Sequence, residues 1–496
     1  MYYTSTRNND VKITAAQAIA TGISPEGGLY VPAEFPPLTA ADIEELAKLS
    51  YEERATRILS RFLTDFTVEE VAECCHAAYG ERFDVPEIAP LHDLGNGRYI
   101  LELWHGPTCA FKDMALQILP YFLTTSAKKI KLDKKIVILV ATSGDTGKAA
   151  LEGFKDVEGT SILVFYPEDG VSPMQKRQMK TQEGDNVGVC AIKGNFDDCQ
   201  NGVKAIFTDN EVKAALDSKG MIFSSANSIN WGRLVPQVVY YVSAYAELVK
   251  GEEIEMGEKI NIVVPTGNFG NILAAYYAKH MGVPVNKLIC ASNINNVLTD
   301  FINTGVYDRN RQFFATVSAS MDILISSNLE RLLYLMTDRN DAVINEWFGK
   351  LAAEGKYEVT ADVKAKLNEE FFGGFCDDEQ TKETISSIYE KYSYTCDTHT
   401  AVAVKVYNDY KAATGDTTKT VIASTASPYK FSAAVLEALE KGNSDIDEYA
   451  KVDRIAELSD IPVPAALADL KNKPERFTDV IEKADQKDYV LRTLGF

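Results

Sequence analysis

LELWHGPTCAFKDMALQ, residues 101–117, is the stretch around which the rest of the chain is organised. An apolar, alternating run at 100–104 reads as a strand, the sharp turn His105-Gly106-Pro107-Thr108 follows, and a helix-forming run begins at Lys112. Lys112 is thereby placed at a strand-to-helix corner. Its neighbours Ala110, Phe111, Met114, Ala115 and Leu116 are apolar, with one carboxylate, Asp113, beside it. Burial disfavours the charged form of lysine, so an amine in such surroundings becomes a nucleophile able to form a Schiff base with a carbonyl group. Most lysines at helix starts are solvated surface charges, so the remaining loops must decide the matter.

Outward from this corner the chain alternates short β-rich runs with stretches of helical period. The runs lie at 135–141, 161–166, 187–192, 260–264, 288–292 and 420–424. This alternation predicts an α/β architecture with mainly parallel sheets, in which ligands bind beyond the carboxyl ends of the strands. Before it, residues 1–95 read as a mostly helical N-terminal domain. The capping pattern Thr67-Val68-Glu69-Glu70 opens one of its helices, and Glu44, Glu45, Glu52, Glu53 and Arg54 are expected on a solvated face. Residues 96–225 are expected to form a smaller α/β domain carrying Lys112. Residues 226–496 are expected to form a larger one with a helical insertion over 304–394, and the acidic segment 443–457 reads as a solvated helix.

Four loops that follow strands carry candidate chemistry. Pro265-Thr266-Gly267-Asn268-Phe269-Gly270-Asn271 lets the backbone approach an anion at a helix start, without the spacing of a Walker or dinucleotide loop. Thr142-Ser143-Gly144-Asp145-Thr146-Gly147 offers hydroxyls and amides suited to a carboxylate or a phenolic oxygen. Lys148 follows it, but Thr142 stands where a P-loop needs its first glycine. The turn at 227–233 ends in Arg233, a planar donor for phosphate or carboxylate. In the turn at 424–430, Thr425 presents a hydroxyl suited to a heterocycle nitrogen.

Composition narrows the function classes. The 496 residues are 46% hydrophobic, enough for two or three domains. Lys and Arg total 51 against 71 Asp and Glu, a net charge of −20, which argues against nucleic-acid and anionic-membrane partners. No apolar run approaches the roughly 20 residues of a membrane span, and the first residues show no signal-peptide core, so a cytoplasmic location is expected. The eight cysteines show neither C-x-x-C pairs nor zinc spacing; reduced thiols and no metal site are expected, and Cys109 lacks a nearby histidine to activate it.

HGPTCAFKD at 105–113, ATSGDTG at 141–147, NSIN at 227–230 and GNFGN at 267–271 together resemble threonine synthases of the long bacterial and fungal type. Further strings extend the resemblance over nearly the whole chain: Tyr3 to Arg7, Gly27 to Pro32, Asn195 to Gln200, Ser320 to Asp322, Ser327 to Arg331 and Asp397 to Ala401. The resemblance implies a pyridoxal-phosphate enzyme of the tryptophan-synthase β fold (fold type II). It would turn O-phospho-L-homoserine and water into L-threonine and phosphate, as a monomer or small homo-oligomer. Lys112 would hold the cofactor, and Gly267, Asn268, Phe269, Gly270 and Asn271 would bind its phosphate. Asp145 would stand near its phenolic oxygen and Thr425 would face its ring nitrogen. Substrate would meet Ser143, Gly144 and Thr146 through its carboxylate, and Arg233 or Arg331 through its phosphate. The chain departs from the family string TAHPAKF, with Ser427 for the histidine and Tyr429 for an alanine. Two alternatives remain: a serine or threonine dehydratase of the same fold, and a non-catalytic threonine-synthase-like protein that binds a ligand.

Overall fold

The computed structural model describes residues 1–440, 446–459 and 461–496. In the larger of its two main sheets the strands run in the order Phe371–Phe375, Val285–Ser292, Ile260–Pro265, Thr420–Ser424, Arg98–Glu102 and Leu91–Gly95. All neighbours are parallel except the last pair. Ile260–Pro265 and Thr420–Ser424 are buried at every position, because helices cover both faces; such strands need apolar side chains on both sides, and their sequences lack the in-out alternation of half-buried strands. The smaller sheet orders Val480–Glu482, Val187–Lys193, Thr160–Pro167, Lys135–Ala141 and Met221–Ser224, every pair parallel. The two architectures expected from sequence, parallel sheets and flanking helices, are therefore present. Among the described residues no helix is long and apolar enough to cross a membrane, and all eight cysteines are buried and unpaired.

The candidate loops share one arrangement: each leaves the carboxyl end of a strand. Arg98–Glu102 runs into the Lys112 turn, Lys135–Ala141 into residues 142–147, Ile260–Pro265 into 266–271 and Thr420–Ser424 into 425–431. Two sheets thus aim their loops at one cleft, as the geometry of open parallel sheets requires.

Several expectations are corrected. Arg98–Glu102 pairs with Thr420–Ser424, from Thr420 opposite Arg98 to Ser424 opposite Glu102, so the Lys112 turn descends from the larger sheet. A boundary at residue 96 would cut between two paired strands. Residues 480–482, expected with the larger domain, join the smaller sheet through Ala191, Ile192 and Lys193. Sheet membership is a long-range property that local composition does not encode. The helical insertion at 304–394 contains the antiparallel pair Val306–Asp308 and Lys356–Glu358, and also the edge strand Phe371–Phe375. The N-terminal helices accompany a three-stranded sheet of Asn8–Ile13, Tyr3–Ser5 and Tyr30–Pro32. Arg54 is buried, not solvated; it donates to the carbonyls of Leu46 and Ala47 and pairs with Glu247 on the helix Pro236–Lys250. In the acidic segment, residues 443–445 lie outside the described residues, and the helix is Glu448–Leu458.

Candidate active site

The Lys112 turn is fastened at both ends. Leu103 donates its amide to Ser424 O, Trp104 Nε1 donates to Ser424 Oγ, and Phe111 donates to Thr425 O at 2.8 Å. Within the turn, Asp113 accepts the amide and hydroxyl of Thr108 at 2.8 and 2.7 Å. Burial pushes the Asp113 carboxyl up to about 6 against these bonds. Lys112 immediately precedes the short helix Asp113–Leu116, its side chain only 11% exposed.

The Lys112 amine lies 3.2 Å from Ser320 Oγ and 3.4 Å from Asp145 Oδ2, with the Phe111 ring beneath it. Burial lowers its pKa; Asp145 raises it, and the cations Lys430 and Arg233 lower it again. The net direction is downward, toward a free amine. Asp145 opens the helix Asp145–Phe154 and is almost wholly enclosed. Burial alone would raise its carboxyl, yet Lys430 and Lys112 hold it well below the usual carboxylate range. Gly144, at φ +134°, makes room for this arrangement: a Cβ there would stand 2.3 Å from the Gln175 side chain that donates to Asp145.

The loop at 266–271 has the features of an anion cradle. Phe269 adopts a left-handed φ of 64°, and the helix Gly270–Met281 follows it. The amides of residues 267–272 find no protein acceptor among the described residues. Asn271 accepts from the hydroxyls of Tyr240 and Tyr241, which leaves its own Nδ2 buried and unpartnered. A Cβ at Gly267 would lie 2.8 Å from Ser320 O, so the glycine lets the loop bearing Ser320 close over the cradle. Orphaned donors of this kind fit the phosphate of a pyridoxal cofactor.

Arg233 completes the cluster. It is buried, donates to Ala226 O at 2.8 Å and to Thr146 Oγ1 at 3.4 Å, and among the described residues forms no ion pair with a carboxylate. Burial pushes its guanidinium down to about 10. Ser143 and Thr146 are half-buried at the same turn, and Thr425 is close by through its bond to Phe111. Arg331 differs. It also forms no ion pair among the described residues, but its guanidinium donates to Tyr30 O at 2.9 Å, Ile229 O at 2.6 Å and Asn328 Oδ1. Each of its three nitrogens thus has an acceptor and it staples the N-terminal sheet to the NSIN turn, whereas Arg233 Nε has none. Ser427 is buried with its hydroxyl unpartnered, and Tyr429 turns away to Ile461 O.

Ser320, Gln175 and Lys430 are site residues that the sequence reading left without a role. His399 is a fourth: its Nε2 accepts the Ser320 amide at 3.2 Å while its Nδ1 meets Asp397 at 2.7 Å. The family strings at 320–322 and 397–401 were the available signal, but a string does not say which atom faces which.

Family models cover most of the chain: "Threonine synthase N terminus" at residues 2–79, "Pyridoxal-phosphate dependent enzyme" at 84–357 and "Threonine synthase, C-terminal" at 400–490. The chain is 37% identical to threonine synthase of Saccharomyces cerevisiae over 88% of this chain and 89% of that one. It is 43% identical to human threonine synthase-like 1, of whose length it spans 58%. Among solved structures, a PLP-bound threonine synthase from Brucella melitensis superposes with a TM-score of 0.88 at 35% identity, over the whole of both chains.

Proposed function

The chain belongs to the threonine synthase family of pyridoxal-phosphate-dependent enzymes, and from that premise we propose that it converts O-phospho-L-homoserine and water to L-threonine and phosphate. The observation that carries the substrate is Arg233. A buried guanidinium without a carboxylate partner leaves a charge to be satisfied, and a phosphate dianion matches its planar donors. A serine or threonine dehydratase has no phosphate to place there.

In this reading the cofactor is held by Lys112, by the amides of 267–272 with Asn271, by Asp145 and by Thr425. When bound, it supplies an electron sink for charge developing at the substrate's α and β carbons. The chain's own groups do the rest. The turn at 143–146 holds the substrate carboxylate on its amides and hydroxyls. Arg233 takes the phosphate, which leaves from Cγ with its bonding electrons. The Lys112 amine, favoured in its unprotonated form by burial, moves protons at Cα, Cβ and Cγ, with Ser320 Oγ within hydrogen-bond reach as a relay. Closure of the two sheets' loops over the cleft excludes water until elimination is complete, after which water adds at Cβ.

The test is a substrate panel on the purified, cofactor-loaded protein. Threonine and phosphate from O-phospho-L-homoserine, with no turnover of unphosphorylated serine or threonine, is the expected pattern. Turnover of serine to a 2-oxo acid and ammonia would replace the reading with the dehydratase one, and cofactor binding with no turnover would favour a ligand-binding protein.

A further inference from the structure

We propose that Lys430 is a positioning residue: it claims one oxygen of the Asp145 carboxylate and so leaves the Lys112 amine beside an already neutralised partner, free to take up and release protons. The inference rests on the reading of Lys112 as the cofactor-bearing amine and concerns only residues of this chain.

Asp145 stands between two lysines, and it does not treat them alike. Its Oδ1 receives Lys430 Nζ at 2.6 Å and Gln175 Nε2 at 2.8 Å. Its Oδ2 meets Lys112 Nζ and Ser320 Oγ only at 3.4 Å each. The tight contacts belong to Lys430 and Gln175, the loose ones to the reacting amine. Lys430 is 0% exposed, and its second bond, to Thr108 O at 2.9 Å, fixes it on the very turn that carries Lys112.

The physical consequence follows from the charge count. A buried lysine facing a lone carboxylate is held as ammonium, which is neither base nor nucleophile. A second cation on that carboxylate removes most of the hold. Arg233, on the helix Trp231–Leu234, acts on Lys112 in the same sense as Lys430. The other titratable groups near Lys430 are Asp113, whose oxygens are taken by Thr108, and the Cys109 thiol, whose burial keeps it protonated. Lys430 also spans the two layers: Asp145 and Gln175 stand on helices of the smaller sheet, whereas Lys430 follows the strand Thr420–Ser424 of the larger. Its partners therefore come together only when both sheets are in place, which ties the state of the amine to the assembled cleft.

Lys430→Gln keeps hydrogen-bonding reach and removes the charge; Lys430→Arg keeps the charge. Two readouts apply: the pH titration of the absorbance of the cofactor-loaded protein, and, in the cofactor-free protein, the pH dependence of Lys112 acetylation by acetic anhydride followed by mass spectrometry. Both midpoints are expected to move up by about one pH unit in Lys430→Gln and to stay near the wild-type value in Lys430→Arg. Unmoved midpoints in Lys430→Gln overturn the inference. Absence of a cofactor band in the wild-type protein overturns instead the reading of Lys112 as the cofactor's anchor, and the acetylation arm still judges Lys430. Should Lys430→Gln fail to fold, Lys430→Met, which buries no unpaired polar group in its place, is read in the same way: an upward shift of both midpoints supports the inference and unmoved midpoints overturn it.

Discussion

Arg233 and Arg331 show how little a residue type says without its acceptors. Both are buried arginines on or beside turns of the cleft, and both are candidates for a phosphate. Neither forms an ion pair among the described residues, but Arg331 has an acceptor at each of its three nitrogens, two carbonyls and Asn328, whereas Arg233 has one carbonyl and one long contact to Thr146. Spacing along the chain distinguishes neither, because hydrogen-bond acceptors come from segments far away in sequence. For the same reason Lys112 was legible, through its local apolar surround, and Lys430 was not. Arg233→Met is expected to cut kcat/KM for O-phospho-L-homoserine by about 100-fold, the worth of a lost charge-assisted bond. Thermal stability should hold or rise, since an uncompensated buried cation is removed; steady-state kinetics beside a melting curve checks both. Lys112→Ala is expected to abolish the covalent cofactor band and lower turnover by about a thousandfold or more, with an unchanged far-ultraviolet circular dichroism spectrum.

At the scale of elements, the turns do the placing. Gly144→Ala would put a methyl 2.3 Å from Gln175 at a φ that L-residues rarely adopt. Loss of about 2 kcal/mol of stability and weakened cofactor affinity are expected, measurable by thermal melting and equilibrium dialysis. The turn before Lys112 has its own pH signature. His105 stacks on Trp104 and lies 2.7 Å from Asp84 and 2.8 Å from Glu102. Burial alone would lower it, but the two carboxylates bring it up to about 9. A histidine raised above its unfolded value near 6.5 contributes stability that is complete below that pH and is lost as pH rises through about 9. The difference in unfolding free energy between the wild type and His105→Phe, read from urea melts, should therefore shrink from pH 6 to pH 9.5, by about 1–2 kcal/mol once the half-exposed Asp84 is discounted for screening. Strands buried on both faces were legible from their apolar runs; Phe371–Phe375 was not, since Gly373 and Gly374 erase the β pattern. Gly373 packs against Thr299 and Ile302, and Gly374 against Val406, where larger side chains would collide.

For the whole molecule, the sheets decide what the loops can do. The cleft exists because loops from two separate sheets converge, and the smaller sheet is completed by the far end of the chain. Val480–Glu482 pairs with Val187–Lys193, and Tyr489 and Val490 are buried in the core with Val137, Leu139 and Phe165. Deleting residues 473–496 is expected to destabilise the protein by several kcal/mol, on the order of two or three buried side chains plus an exposed strand edge, seen as a lower urea midpoint. The fold class was legible because alternating strands and helices impose it; which strand joins which sheet was not, because pairing partners are set by long-range packing. In the proposed reaction this cleft removes phosphate from Cγ and adds water at Cβ. The most direct test is turnover of O-phospho-L-homoserine in water enriched in oxygen-18, with both products weighed by mass spectrometry. Cleavage of the Cγ–O bond predicts threonine carrying one heavy oxygen in its hydroxyl and phosphate carrying none, in equal amounts. Heavy oxygen in the phosphate, or phosphate formed without threonine, would contradict it.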